Sequence, residues 1–179
     1  MARESLAELK PGDWSNPFEI AALDMSLGAT AVKMGMNERG FEEMRLACHG
    51  LNPLTTPQTP LNGLFKFEDA YAAYVFHLWC FDQQDKAINI IDQVANLETL
   101  AKLAPYEASR VAGLALNLVL TEQPDLDHSE LATKAIALLE QAIADGCALR
   151  FNLQQDIAYK SVISNEAFVA LNEKLAETK

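Results

Sequence analysis

Basic residues are scarce in this chain: 14 Lys and Arg stand against 25 Asp and Glu, giving a formal net charge of −11 and a pI near 4.6. Phosphate backbones are bound by clusters of Lys and Arg that displace counterions, so nucleic acid is not an expected partner, and neither is an anionic membrane surface. No apolar run approaches the roughly 20 residues that a spanning helix needs. The start, Met1 to Lys10, lacks the basic end and apolar stretch of a secretory signal, so a cytoplasmic address is expected. Cysteine is sparse and odd in number. Cys48, Cys80 and Cys147 form no C-x-x-C pair, which argues for free thiols in a reducing compartment.

Strand signals are weak throughout, because no segment alternates apolar and polar residues between tight turns. The glycine-rich G-x-G-x-x-G loop, the His-Arg-Asp catalytic loop and the Asp-Phe-Gly magnesium site of protein kinases are all missing. So are the phosphate-cradling P-loop and the G-x-S-x-G nucleophile elbow, and nothing in the chain implies a cofactor.

What remains is helical spacing. Half of the 179 residues are hydrophobic and 22% are charged, the balance of a chain that buries a core, here expected as one domain over residues 1–179. A first helix is predicted after Ser15-Asn16-Pro17, running through Ile20, Leu23, Leu27 and Ala31 towards Met34 and ending at Gly35. A second, with Asn37 as its cap and Phe41, Met44, Leu46 and Ala47 as its apolar residues, ends at His49-Gly50 and completes a hairpin over 17–50. Pro53, Pro57, Pro60 and Gly63 mark 52–65 as a loop.

A second hairpin, 67–97, pairs a helix from about Glu68 to Phe81 with one starting at Asp85 across a turn at Gln83-Gln84. A third, 105–146, pairs a helix from Pro105 with one from His128-Ser129 to Gly146. Shorter helices near Asn152 to Tyr159 and Asn165 to Glu177 form a terminal cap over 150–178. The fold class is all-α, with about three antiparallel helix pairs.

Successive hairpins invite a test against repeat architectures. Leu27-Gly28 followed by Gly40, Met44 and Ala47 resembles the tetratricopeptide repeat, in which small residues let two helices approach closely. Tyr71, Tyr74 and Leu78 with Ala87, Ile91 and Val94 form the corresponding series in the second pair, and Gly113 and Leu116 with Ala135, Leu139 and Ala142 in the third. Ala135 to Gly146, followed by Leu153, Asp156, Phe168 and Leu171, is similar to the segment that closes such arrays in bacterial proteins, including serine/threonine kinases with arrays after the catalytic domain. Asp156-Ile157 stands where that pattern has Asp-Pro, and Val162-Ile163 where it has Leu-Arg.

The resemblance implies a right-handed helical stack that binds a protein or peptide without catalysis, either free-standing or as the regulatory end of a kinase. The first helix of each pair lines the groove in that family. The matching positions are Met25, Ala29 and Val32, then Asp69, Phe76 and Trp79, then Glu107, Arg110, Leu114 and Asn117, with Phe76 and Trp79 as aromatic hot spots. An acidic surface favours basic or apolar helical segments as ligands, and a second copy of the chain is another candidate occupant.

The alternative is a small all-α enzyme or metal-binding protein with a pocket near His77 and Cys80. Cys48, His49, His77 and Cys80 offer ligand types that suit zinc, but Cys48 and His49 diverge by about 100° on a helix. Buried thiols and helix-end histidines account for these residues more simply, and no metal is expected. The acidic pairs Glu42-Glu43, Glu68-Asp69 and Asp82-Asp85 read as solvated helix ends rather than acid–base machinery.

Overall fold

The computed structural model describes residues 15–177; Met1 to Lys10, read above for a signal, lies outside them. Among the described residues, regular structure is helical and no strand occurs. The α-helices are α1 (Ser15–Lys33), α2 (Asn37–Leu51), α3 (Leu61–Cys80), α4 (Gln84–Ala95), α5 (Ala104–Glu122), α6 (Ser129–Ala144) and α7 (Glu166–Glu177). Short 3-10 turns lie at Asn52–Leu54, Glu98–Leu103 and Ile157–Tyr159. The chain divides into two compact units, with the boundary inside α3 between Tyr74 and Val75.

In unit 1, α1 buries Phe18, Ala21, Met25, Gly28 and Val32, a stripe at helical spacing, and it meets α2 where Gly28 and Val32 approach Gly40 and Met44. Of the apolar residues by which this helix was read, Ala31 is buried and Ile20 half-buried, while Leu23, Leu27 and Met34 point outward and are exposed. Both faces of α1 are apolar, so periodicity alone did not decide which one is covered. Gly28 and Gly40 bring the helices close: a Cβ on Gly28 would stand 2.7 Å from Met44 Cγ and 2.8 Å from the Gly40 carbonyl oxygen. That approach is what the small residues at these places were expected to allow.

The α1–α2 turn ends in a Schellman arrangement. Gly35 sits at φ +79°, its N–H donates to the Val32 carbonyl, and the Met36 N–H donates to the Ala31 carbonyl. Asn37 is not the cap of α2; Met36 occupies that place without a side-chain hydrogen bond, and the Asn37 Oδ1 atom has no hydrogen-bond partner.

The loop expected over 52–65 is shorter, because α3 begins at Leu61. Its first N–H groups, on Gly63 and Leu64, donate to the Pro60 carbonyl, so proline precedes the helix instead of breaking it. The start of α3 needs a glycine at position 63, because a Cβ there would stand 2.8 Å from Thr59 Cγ2 and 3.2 Å from the Phe18 ring. Thr55 and Thr59 close the loop by donating from Oγ1 to the Leu51 and Leu54 carbonyls at 2.8 and 3.1 Å.

In unit 2, α5 is the central element, with α4 and α6 packed on it. Ala87, Ile90, Ile91 and Val94 of α4 and Leu131, Ala135, Leu138, Leu139 and Ala142 of α6 are buried. Residues 104–113 of α5 are buried without a gap, so a third side of that helix is covered as well. The cover is the segment after α6. A second Schellman arrangement launches it: Gly146 at φ +72° donates to the Ile143 carbonyl, and Cys147 N–H to the Ala142 carbonyl at 2.9 Å.

No α-helix forms over 152–159. Asn152 Oδ1 accepts the Gln154 N–H and Asp156 Oδ1 accepts the Ala158 N–H, both at 3.0 Å, and these local bonds hold the stretch in turns that end in a short 3-10 piece. The three cysteines carry no disulfide.

Candidate binding site

The side of α5 that the segment covers carries Tyr106, Glu107, Ser109, Arg110, Gly113 and Asn117. Irregular backbone laid on a helix brings N–H and C=O groups that no ladder satisfies, and each needs a side-chain partner. Asn117 Nδ2 donates to the Ile157 carbonyl at 2.8 Å, and Ser161 donates to Asn117 Oδ1. Ser109 donates to the Ala135 carbonyl of α6 at 2.6 Å and shares a bond of 2.9 Å with the Tyr159 hydroxyl. Gly113 is required by contact, since a Cβ would fall inside the radius of the Ala158 carbonyl oxygen.

Two buried ion pairs fasten the same face. Arg110 donates to Asp156, and both are nearly fully buried. Arg150 donates from Nη2 to Glu107 Oε2 at 3.0 Å, with Nη1 2.8 Å from Oε1, while Glu107 is fully buried. The Arg110 guanidinium lies 4.8 Å from the Phe151 ring centroid, and that of Arg150 lies 5.3 Å from the Tyr106 centroid. Burial pushes the Tyr106 hydroxyl up to about 12, against the lowering effect of Arg110. Tyr159 is also pushed well up by burial, with its bond to Ser109 opposing. Charges paired this way rigidify the segment; removing one partner of such a pair typically costs about 3–5 kcal/mol.

Beside this cluster, between residues 147–154 and α7, lies an open cleft of about 750 Å³. Its lining combines the apolar Leu149, Phe151 and Leu175 with the polar Arg150, Asn152, Gln154 and Asn172. Asn152 and Gln154 are exposed and Asn172 is half-exposed; Asn152 Oδ1 already accepts the Gln154 N–H, and the ion pairs behind hold the wall in place.

The expected groove residues are dispersed. Met25 and Asp69 fall in unit 1, Met25 in the α1–α2 core and Asp69 at the surface. Ala29 is half-buried and Val32 buried. In unit 2, Trp79 is 2% exposed and its indole N–H donates to the Asp127 carbonyl at 2.9 Å. Trp79, Glu107 and Arg110 therefore build the interior rather than a surface, because the segment or neighbouring backbone occupies what faces them. Phe76 is half-buried, edge-on to the His77 ring at 5.0 Å, and Leu114 and Asn117 are half-buried.

Sequence reasoning missed Arg150 and Phe151. The available signal was the i, i+4 pair Tyr106 and Arg110 on a helix with few other charges, which needs an acid and an aromatic neighbour from elsewhere. Among the described residues, no three His, Cys, Asp or Glu side chains are placed together to hold a metal ion. Cys48 is fully buried and its thiol is pushed up by desolvation; the half-buried Cys80 shifts the same way. No helix among the described residues is long and apolar enough to cross a membrane. Compared with family models, with characterised proteins and with solved structures, the chain gives no match.

Proposed function

We propose that this chain is a non-catalytic helical module of the tetratricopeptide kind that binds a segment of a partner protein, received in the cleft between residues 147–154 and α7. The observation that supports this most is the mixed lining of that cleft against a wall fastened by Arg110–Asp156 and Arg150–Glu107. Rigid apolar surface with a few fixed polar groups recognises side chains and backbone at little ordering cost. Unit 2 carries fifteen Asp and Glu against seven Lys and Arg within residues 75–177, which favours a basic segment with apolar residues. The reading holds for a free-standing adaptor and for a module attached to a kinase.

The test is selection from a displayed peptide library, followed by calorimetry of the selected sequences. Asn172→Arg and Leu175→Glu, both at half-exposed positions, should each weaken binding at least tenfold. A library that yields no binder, or binders indifferent to both changes, contradicts the proposal.

A further inference from the structure

Beside the exposed Glu19, Ser26, Thr30 and Lys33, the outward side of α1 carries an apolar stripe. Leu23, Leu27 and Met34 are 54%, 62% and 69% exposed and follow one side of α1 into the turn after it. Leu27, Met34 and Met36 border a shallow hollow of about 200 Å³ whose far side is formed by Arg39 and Glu43, one turn apart on α2. Scattered exposed leucines are ordinary, but a stripe aligned with a hollow marks a surface that something covers.

We propose that a second copy of this chain covers it, through a two-fold pairing of α1 with α1 of the other molecule. The first support is self-complementarity. An antiparallel pairing centred between Leu27 and Thr30 sets Leu23 of one copy against Met34 of the other, and Arg39 against Glu43, with the reciprocal contacts generated by symmetry. The second is local charge. Residues 15–74 hold seven Asp and Glu against four Lys and Arg, so this face belongs to the more nearly neutral unit, where repulsion between identical chains is smallest. The third is area. α1 is roughly 28 Å long and the face is two helices wide, on the order of 500 Å² per copy, the low end for a specific interface and the size of a reversible dimer with micromolar dissociation.

Sedimentation equilibrium over a range of concentrations tests this. The wild-type chain should show a monomer–dimer equilibrium, weakened about tenfold or more by Leu27→Glu, a change at an exposed position that leaves helicity by circular dichroism intact. Arg39→Glu should weaken it similarly, and the exchanged pair Arg39→Glu with Glu43→Arg should restore it to within about threefold. A monomer at every concentration up to about 1 mM, which would leave a different protein as the occupant, overturns the proposal. A dimer untouched by Leu27→Glu overturns it equally. Peptide binding by the Leu27→Glu monomer should be unchanged, which separates this surface from the cleft.

Discussion

Each unit places a glycine inside a helix that packs closely, but the neighbours differ in kind. Gly28 meets Gly40 of another helix, whereas Gly113 meets the backbone of Ala158 in an irregular segment. Two helices that approach each other arrive with their backbone bonds already made, so the α1–α2 contact needs only small residues and apolar volume. A helix that accepts irregular chain must also satisfy that chain's N–H and C=O groups. Unit 2 accordingly buries Ser109, Arg110, Glu107 and Asp156 on that face; unit 1 buries Glu68 of α3 and the loop residues Thr55 and Thr59 away from the α1–α2 contact, and its pairs Glu42–Arg45 and Glu19–Lys66 lie at the surface. Surface pairs contribute little, and buried ones specify a single arrangement at a high cost of error.

The largest expected effect breaks that contrast at its strongest point. Asp156→Ala leaves Arg110 buried without its carboxylate and should cost about 3–5 kcal/mol in urea unfolding followed by circular dichroism. The pair Arg110→Met with Asp156→Leu should recover most of the loss, because apolar groups of similar volume need no partner. A cost below about 1 kcal/mol for Asp156→Ala would show that the ion pair does not hold the segment.

Next come the two glycines. Gly28→Ala and Gly113→Ala should each destabilise by about 1–3 kcal/mol, overpacking outweighing the roughly 1 kcal/mol gain in helix propensity. Location distinguishes them: hydrogen exchange should quicken in α1 and α2 for the first and over residues 156–162 for the second. Gly50→Ala is the control, since a Cβ there meets nothing within 4 Å. It should be neutral or slightly stabilising in the same urea titration.

A dependence on pH sharpens the comparison further. Tyr106 is buried neutral with its pKa raised from 10.0 to about 12. A raised folded-state value means that its contribution is whole below pH 10 and falls as pH climbs towards about 12, because the unfolded chain ionises first. Tyr106→Phe should therefore lose less stability across that window than wild type, measured by urea midpoints at stepped alkaline pH. The smallest change concerns Asp82, which ends α3 at φ +59°, the conformation that Gly35 and Gly146 adopt at their turns. Asp82→Gly should raise stability by about 0.5 kcal/mol, relief of left-handed strain being partly offset by chain entropy, as thermal unfolding would show.

Helix punctuation was legible in the sequence because it is local: Gly35 and Gly146 end helices through their own φ, and Pro105 enters α5 in its first turn. Pro60 misled where it stood among threonines and ahead of Gly63, although its place just before Leu61 is a helix start. The buried face of α1 was not legible, because Leu23, Leu27 and Met34 are as apolar as Phe18, Met25 and Val32. The face of α5 was legible as a face, since Glu107, Arg110 and Asn117 lie at i, i+3 and i+10. What covers it was not, because Asp156 stands 46 residues from Arg110 and its own neighbours read as helical. A contact of that sequence separation leaves no periodic trace.

The central claim is that residues 156–162 form part of the packed body of unit 2, fastened to α5 by side chains. Native-state hydrogen exchange of the unaltered chain tests it most directly. The N–H groups of Ala158, Tyr159 and Val162 should be protected to a degree comparable with the middle of α5, and Asp156→Ala should release them together. Exchange of these three at the rate of an open chain, with α5 still protected, would contradict it.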